Sequence, residues 1–213
     1  MILNIFLWGS IITVPVFLIQ IGFSELLNQL QTFTFFASYP IVIDAIKWFI
    51  IIALTEELLK YLVVKINISG SYVLDEPLDV MLYMVVAALG FTAVENILYL
   101  FSPIDNISFD VIIKTTLAVS FIRFIGATFL HTLCSATLGY FMALSFFKTE
   151  KRLKLTIIGI FISGATHGLY DFSIMTLKTP LNFVIPVIII TGLAMFVIFA
   201  FNKTKRMKSI SNI

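Results

Sequence analysis

The sequence predicts an all-α, polytopic membrane protein, a helical bundle with about six transmembrane helices. Its composition is the first observation: 60% of the 213 residues are hydrophobic, only 12% are charged, and the mean hydropathy is +1.05. A soluble chain this apolar would have too little polar surface to cover itself. The second observation is that the apolar residues gather in six stretches that approach the roughly 20 residues needed to cross a bilayer.

The six stretches follow one another along the chain. They cover residues 2–22, 40–64, 77–101, 115–147, 153–176 and 181–201. The first has neither a basic start nor a small-residue cleavage site, so we expect a retained helix and not a signal peptide. The segment 24–36 is too polar to span the bilayer and is expected to form an interfacial helix. Without an internal repeat, the chain is predicted to be a single transmembrane domain, 1–213.

Basic residues predict the orientation of the chain. The loop 148–154 and the tail 202–209 each hold four Lys or Arg residues, and short cytoplasmic loops are enriched in these residues. With six spans, both segments lie on one side, so both termini are predicted to be cytoplasmic in a cell membrane. The net charge is only +2 and no stripe of Lys and Arg accompanies aromatic residues, which argues against a nucleic-acid partner and leaves membrane lipid.

Polar and ionisable side chains interrupt the second to the fifth stretch. Each ionisable group costs about 2.5–3.5 kcal/mol at the membrane centre on insertion scales, so such groups face the bundle interior and mark functional sites. Both histidines of the chain are among them, on neighbouring stretches. The group comprises Glu56, Glu57, Lys60, Glu95, Asn96, Arg123, His131, His167 and Asp171.

Helical spacing predicts two pairs within this group. Glu56 and Lys60 are four residues apart, as are His167 and Asp171, so each pair lies on one face of its helix. The first pair could serve only to ease membrane insertion, and the second could be only an interhelical hydrogen-bond network. Neither explanation accounts for Glu57, which points about 100° away around the helix and has no local partner.

The polar groups are predicted to lie at similar depths. At about 1.5 Å per residue, Glu95, His131 and His167 lie about 27, 24 and 21 Å from the cytoplasmic ends of their stretches. Glu56 reaches a similar depth, about 20 Å, if its helix continues past Lys65. We therefore expect these groups to meet in the outer half of the bilayer.

Four motifs occur in order on four successive stretches. EELLK (56–60) fits E-E-x-x-K, FTAVEN (91–96) fits F-x-x-x-E-N, HTLCSATLG (131–139) fits His followed by seven residues and Gly, and HGLYD (167–171) fits H-x-x-x-D. Together they make the region 41–176 resemble the PrsW family of intramembrane proteases, which is related to the CAAX-processing and bacteriocin-processing membrane proteases. The resemblance implies that a membrane-tethered protein, such as an anti-sigma factor, is cleaved on its extracytoplasmic side. The active-site residues that it implies are Glu56, Glu57, Glu95, His131, His167 and Asp171.

The residue types suggest how such a site would hydrolyse a peptide bond. Glu56 or Glu57 would activate a water molecule, because a poorly hydrated carboxylate is a stronger base than one in water. His131 would orient that water or donate to the oxyanion, and Asp171 would hold His167 in one tautomer. The residues expected to support the site are Lys60, which would keep one glutamate ionised, Asn96 and Arg123.

Several alternatives use nearly the same residues. His131, His167 and one carboxylate could bind zinc, with another glutamate as the base, although we favour a mechanism without an obligatory metal. Cys134 or Ser135 could act as a nucleophile beside His131, but both are ordinary packing residues of membrane helices, and such a protease would leave the glutamates unexplained. The alternatives to a peptidase are a non-catalytic membrane scaffold and a proton-coupled transporter.

Overall fold

Helices make up every element of the chain in the residues that the structure describes. The structure, a computed structural model, describes residues 1–68, 76–100 and 109–207, without the side chains of residues 34–35, 100 and 109–123. In chain order the helices are α1 (Ile2–Leu30), α2 (Thr34–Ala37), α3 (Pro40–Ala45), a π-helical segment (Ile46–Leu54), α4 (Thr55–Ile68), α5 (Pro77–Leu100), α6 (Phe109–Phe147), a 3₁₀ turn (Thr149–Lys151), α7 (Arg152–Thr176) and α8 (Leu181–Thr204). The all-α prediction is confirmed.

Five helices within the described ranges are long and apolar enough to cross a membrane. They are Ile2–Leu30, Pro77–Tyr99, Phe124–Phe147, Thr149–Thr176 and Leu181–Thr204. The remaining predicted stretch, 40–64, is also helical, but it is divided among α3, the π-helical segment and α4. It carries the charged motif residues Glu56, Glu57 and Lys60. The prediction of a polytopic helical membrane protein is therefore confirmed.

The structure differs from the interfacial helix expected at 24–36. α1 continues to Leu30, and the four-residue α2 is the separate helix that begins within this segment. Residues 23–30 contain neither Pro nor Gly, so nothing in the backbone ends α1 earlier. Leu27 is buried against Ile43 and Ile51, and these apolar contacts stabilise the added turns of α1.

α5 and α6 form the centre of the bundle. In α6, 72% of the most apolar 18-residue window is buried, and 56% in α5, against 22% in α1 and in α8. α1 lies against α5 at very close range, because a Cβ atom on Gly9 would collide with the Ala87 carbonyl oxygen and one on Gly90 with the Phe6 carbonyl oxygen. This contact fixes the height of α1 beside the polar residues of the bundle.

α7 packs against the π-helical segment through the two glycines of its G-x-x-x-G sequence. A Cβ atom on Gly168 would lie 2.8 Å from Phe49 Cα, and one on Gly164 would lie 3.6 Å from Leu54 Cα. π-helical turns are rare in proteins, and those that occur are often found at functional sites. Here the π-helical segment leads directly into the first turn of α4, which carries Glu56 and Glu57.

Candidate active site

The side chains of four helices converge at one buried place in the bundle. Glu56 and Glu57 come from α4, Glu95 from α5, His131 from α6, and His167 and Asp171 from α7. The two imidazole rings are in edge contact, with centroids 4.7 Å apart. Glu56, Glu57, His131 and His167 are each no more than 3% exposed. α4 continues past Lys65 to Ile68, as expected, which puts Glu56 about 18 Å along the helix from its end.

Glu57 has hydrogen-bonding partners on both of its carboxylate oxygens. Its Oε1 accepts from Lys60 Nζ and lies 3.0 Å from His167 Nδ1. Its Oε2 accepts from Ser163 Oγ at 2.9 Å and from Ser135 Oγ at 3.3 Å. A buried carboxylate with this many donors is held in one orientation. We interpret Glu57 as the fixed centre of the site.

The structure corrects the predicted pairing of Glu56 with Lys60. Lys60 is three residues after Glu57, and its ammonium group pairs with that carboxylate instead. Residues three apart on a helix are neighbours just as residues four apart are, so spacing alone did not separate the two possibilities. The Lys60 side chain is fully buried and also contacts His131, and the ion pair therefore belongs to the interior of the site.

Glu56 has a different environment from Glu57. Its Oε1 accepts a hydrogen bond of 2.9 Å from Gln20 Nε2 of α1. Its Oε2 has no hydrogen-bond partner among the described residues and lies 3.7 Å from His131 Nδ1 and 3.9 Å from His167 Nε2. A buried carboxylate oxygen needs a proton, a water molecule or a cation to compensate its desolvation. Oε2 of Glu56 is thus the oxygen best situated to react.

The two histidines are oriented by charged groups. His131 Nδ1 lies 2.8 Å from Lys60 Nζ, and its Nε2 lies 3.1 Å from Glu95 Oε2. Because an ammonium group only donates, Nδ1 accepts and Nε2 carries the proton that faces Glu95. His167 lies between Glu57 and Asp171, with its Nε2 3.2 Å from Asp171 Oδ2.

A cavity of about 540 Å³ adjoins these groups and is lined by α1, the π-helical segment, α4, α5, α6 and α7. Glu56, Glu95, His131 and Asp171 line it, whereas Glu57 does not. Much of the remaining wall is apolar and includes Val16, Phe17, Trp48, Ile52, Leu98 and Met175. A cavity of this size and character suits a short apolar segment of a peptide.

The donor set also fits a metal ion. Glu56, His131 and His167 each offer one ligand atom, and these atoms lie within 4.8 Å of one another. The ring nitrogens on the far sides of the imidazoles face the carboxylates of Glu95 and Glu57, the arrangement usual behind metal-binding histidines. A metal ion bound through His131 Nδ1 would have to displace the Lys60 ammonium group from that nitrogen.

Other predicted residues have lesser or undescribed contacts. Asn96 Nδ2 donates to Thr128 Oγ1 at 3.3 Å. The structure does not describe the side chain of Arg123. Cys134 Sγ lies 3.6 Å from Thr166 Oγ1, whereas Ser135, which we expected only to pack, donates to Glu57.

Sequence reasoning missed two residues of the site. Ser163 lies four residues before His167 and therefore on the same helix face, a signal that could have identified it. Gln20 belongs to α1, for which the motifs gave no information; the available signal was an amide in the middle of an apolar stretch.

Residues 1–201 match the family model described as PrsW family intramembrane metalloprotease. The chain is similar to proteins named Protease PrsW from several bacteria. It is 27% identical to that of Clostridioides difficile (strain 630) over 176 residues, which is 82% of this chain and 67% of the relative. It is 24% identical to that of Bacillus subtilis (strain 168) over 212 residues, 99% of this chain and 84% of the relative. No solved structure matches the chain.

Proposed function

Because the chain belongs to the PrsW family of intramembrane metalloproteases, and is thus a peptidase of the membrane, we propose that it hydrolyses a peptide bond of a membrane-tethered protein near the extracytoplasmic face. We further propose that it lies in the cell membrane with both termini in the cytoplasm. The substrate class we propose is an anti-sigma factor, as the resemblance to this family implies. The observation that supports the chemistry best is the unpartnered Oε2 of Glu56, between two histidines and beside an apolar cavity.

In this proposal Glu56 is the general base. A water molecule bound to its Oε2 would give up a proton as its oxygen attacks the substrate carbonyl carbon. The same carboxyl group would then deliver that proton to the leaving amine as the peptide bond breaks. General acid–base catalysis of this kind typically contributes about 10²–10⁴-fold to a rate.

His131 lines the cavity, and its Nε2–H would turn from the Glu95 carboxylate to the oxyanion that forms during attack. Both ring nitrogens of His167 lie beside carboxylates, so His167 would act through its charge and position and would not donate a hydrogen bond to the oxyanion. Asp171 would hold His167 by its Nε2, and Lys60 would fix the tautomer of His131. Glu57 would position Lys60 and His167 and would not meet the substrate.

A metal-dependent version would use Glu56, His131 and His167 as the ligands. Zinc bound there would polarise the substrate carbonyl and acidify its bound water. With Glu56 as a ligand, Glu95 is the other glutamate on the cavity wall that could accept a proton. Glu57 would keep its positioning role in either version, whereas Asp171 would lose its contact with His167 Nε2 if that nitrogen bound the metal. Metal analysis of the purified protein, with His167→Ala as the comparison, distinguishes the two.

The proposal is tested by co-expression with a panel of tagged single-span proteins that includes anti-sigma factors. Wild type, Glu56→Gln and His167→Ala are compared at equal membrane abundance. Glu25→Gln is the matched control, because Glu25 is exposed on α1. We expect wild type and Glu25→Gln to cleave a substrate that the two site variants leave intact. Equal cleavage by all four proteins would contradict the assigned site and indicate another protease.

A further inference from the structure

Gln20 contributes to the site from outside the motif-bearing region. It lies on the inward stripe of α1 that also includes Ile5, Gly9, Thr13 and Val16, residues spaced three or four apart. Its side chain is half-buried, lines the cavity and donates from Nε2 to Glu56 Oε1 at 2.9 Å. A polar amide on the inward face of an apolar helix is costly unless it has a partner, and here its partner is Glu56.

We propose that Gln20 is a positioning residue for peptide hydrolysis: by holding Oε1 of Glu56, it directs Oε2 toward the two histidines and the cavity. This inference rests on the proposed function of Glu56. The terminal torsion of a glutamate is broad and nearly two-fold, so the side chain alone does not select an orientation. Of the two oxygens of Glu56, only Oε2 is left without a hydrogen bond among the described residues. The donor from α1 therefore selects which oxygen reacts.

The height of Gln20 is set by a rigid contact between helices. Besides the close approach at Gly9 and Gly90, Ser10 Oγ donates to the Gly90 carbonyl at 3.0 Å and Thr13 Oγ1 to the Phe91 carbonyl at 3.3 Å. Backbone-to-backbone contact leaves little freedom for α1 to slide along α5. Gln20, two turns beyond Thr13, is therefore presented to Glu56 at a defined depth.

The test compares Gln20→Met, Gln20→Glu and Gln29→Met with wild type in purified, liposome-reconstituted form on one cleaved substrate. Methionine keeps the length of glutamine but donates no hydrogen bond, and glutamate adds a negative charge beside Glu56. Gln29→Met makes the same change at an exposed position of α1 that does not line the cavity. We expect kcat to fall about 10-fold or more in Gln20→Met, with KM within about two-fold, and further in Gln20→Glu. Gln29→Met should keep the wild-type kcat.

A second readout does not depend on activity. Because Gln20 and Glu56 share a hydrogen bond, the losses in melting temperature caused by Gln20→Met and Glu56→Met should not be additive in the double variant. Additive losses, or an unchanged kcat in Gln20→Met, would overturn the inference. A loss confined to KM would also overturn it, because it would make Gln20 a substrate contact. None of these results would restore activity to Glu56→Gln, so the proposed function is judged separately.

Discussion

Glu56 and Glu57 are adjacent in the chain, yet their carboxylates have opposite surroundings. Glu57 binds Lys60, His167 and two serine hydroxyls, and it is fully buried away from the cavity. Glu56 lines the cavity and has one oxygen without a hydrogen bond among the described side chains. A base must be free to take a proton, whereas a positioning group must be held still. In the proposed mechanism the two glutamates divide these tasks.

The substitution Glu57→Gln is expected to destabilise the fold. A neutral amide leaves the fully buried Lys60 ammonium group without its carboxylate, and breaking a buried ion pair costs about 3–5 kcal/mol. Thermal unfolding in detergent should show a lower melting temperature than for wild type and for Glu25→Gln. A Glu57→Gln protein that melts with wild type would show that the ion pair does not hold the site.

Ser163→Ala tests the hydroxyl that sequence reasoning missed. Ser163 Oγ contacts both Glu57 Oε2 and the Cys134 carbonyl oxygen. Its removal leaves fewer donors on a buried carboxylate, and hydrogen bonds to charged groups contribute about 1.5–3 kcal/mol. We expect a lower melting temperature and a reduced cleavage rate. Ser145→Ala is the comparison, since Ser145 Oγ is also buried and donates to the Met142 carbonyl within α6; equal losses in both would argue against a special role for Ser163.

At the scale of elements, the contact between α7 and the π-helical segment sets the position of Glu56. Gly168 has no room for a Cβ atom beside Phe49, whereas Gly164 would only reach ordinary contact with Leu54. Gly168→Ala should therefore displace the π-helical segment and lower activity on the order of 100-fold, the effect of about 1 Å of misplacement. Gly164→Ala should remain close to wild type in cleavage assays. Equal activity of the two variants would contradict this account.

Some elements could be predicted from sequence and others could not. Apolar length identified the spans, because a bilayer requires about 20 apolar residues in a helix. The π-helical winding of Ile46–Leu54 left no signal, since its residues are as apolar as those of any span. The continuation of α1 to Leu30 depends on the burial of Leu27, a tertiary contact. Lys60 pairs with Glu57, whose carboxylate also contacts Ser163, Ser135 and His167 of other helices. Contacts between helices leave no signal in the sequence of a single helix.

For the whole molecule, the order of the four motifs and the depth of their residues were enough to predict that their side chains meet in one cluster. The contribution of α1 could not be predicted, because the contact of Gln20 with Glu56 joins residues 36 positions apart. The cavity likewise depends on six elements together.

The orientation of the chain in the membrane can be tested at the two ends of α7. Lys151 and Lys178 are exposed at opposite ends of α7, and the native Cys134 is fully buried. In intact cells, a membrane-impermeant thiol reagent should label Lys178→Cys and spare Lys151→Cys until the membrane is permeabilised. Labelling with the reverse pattern would invert the assigned orientation.

The most direct test of the account measures cleavage of one single-span substrate by purified wild type and Glu56→Gln in liposomes. Glutamine keeps an oxygen that can accept from Gln20 but cannot act as a base. We predict that the rate falls at least about 100-fold while the melting temperature stays near that of wild type. Cleavage by folded Glu56→Gln at the wild-type rate would contradict the central claim that Glu56 activates the water.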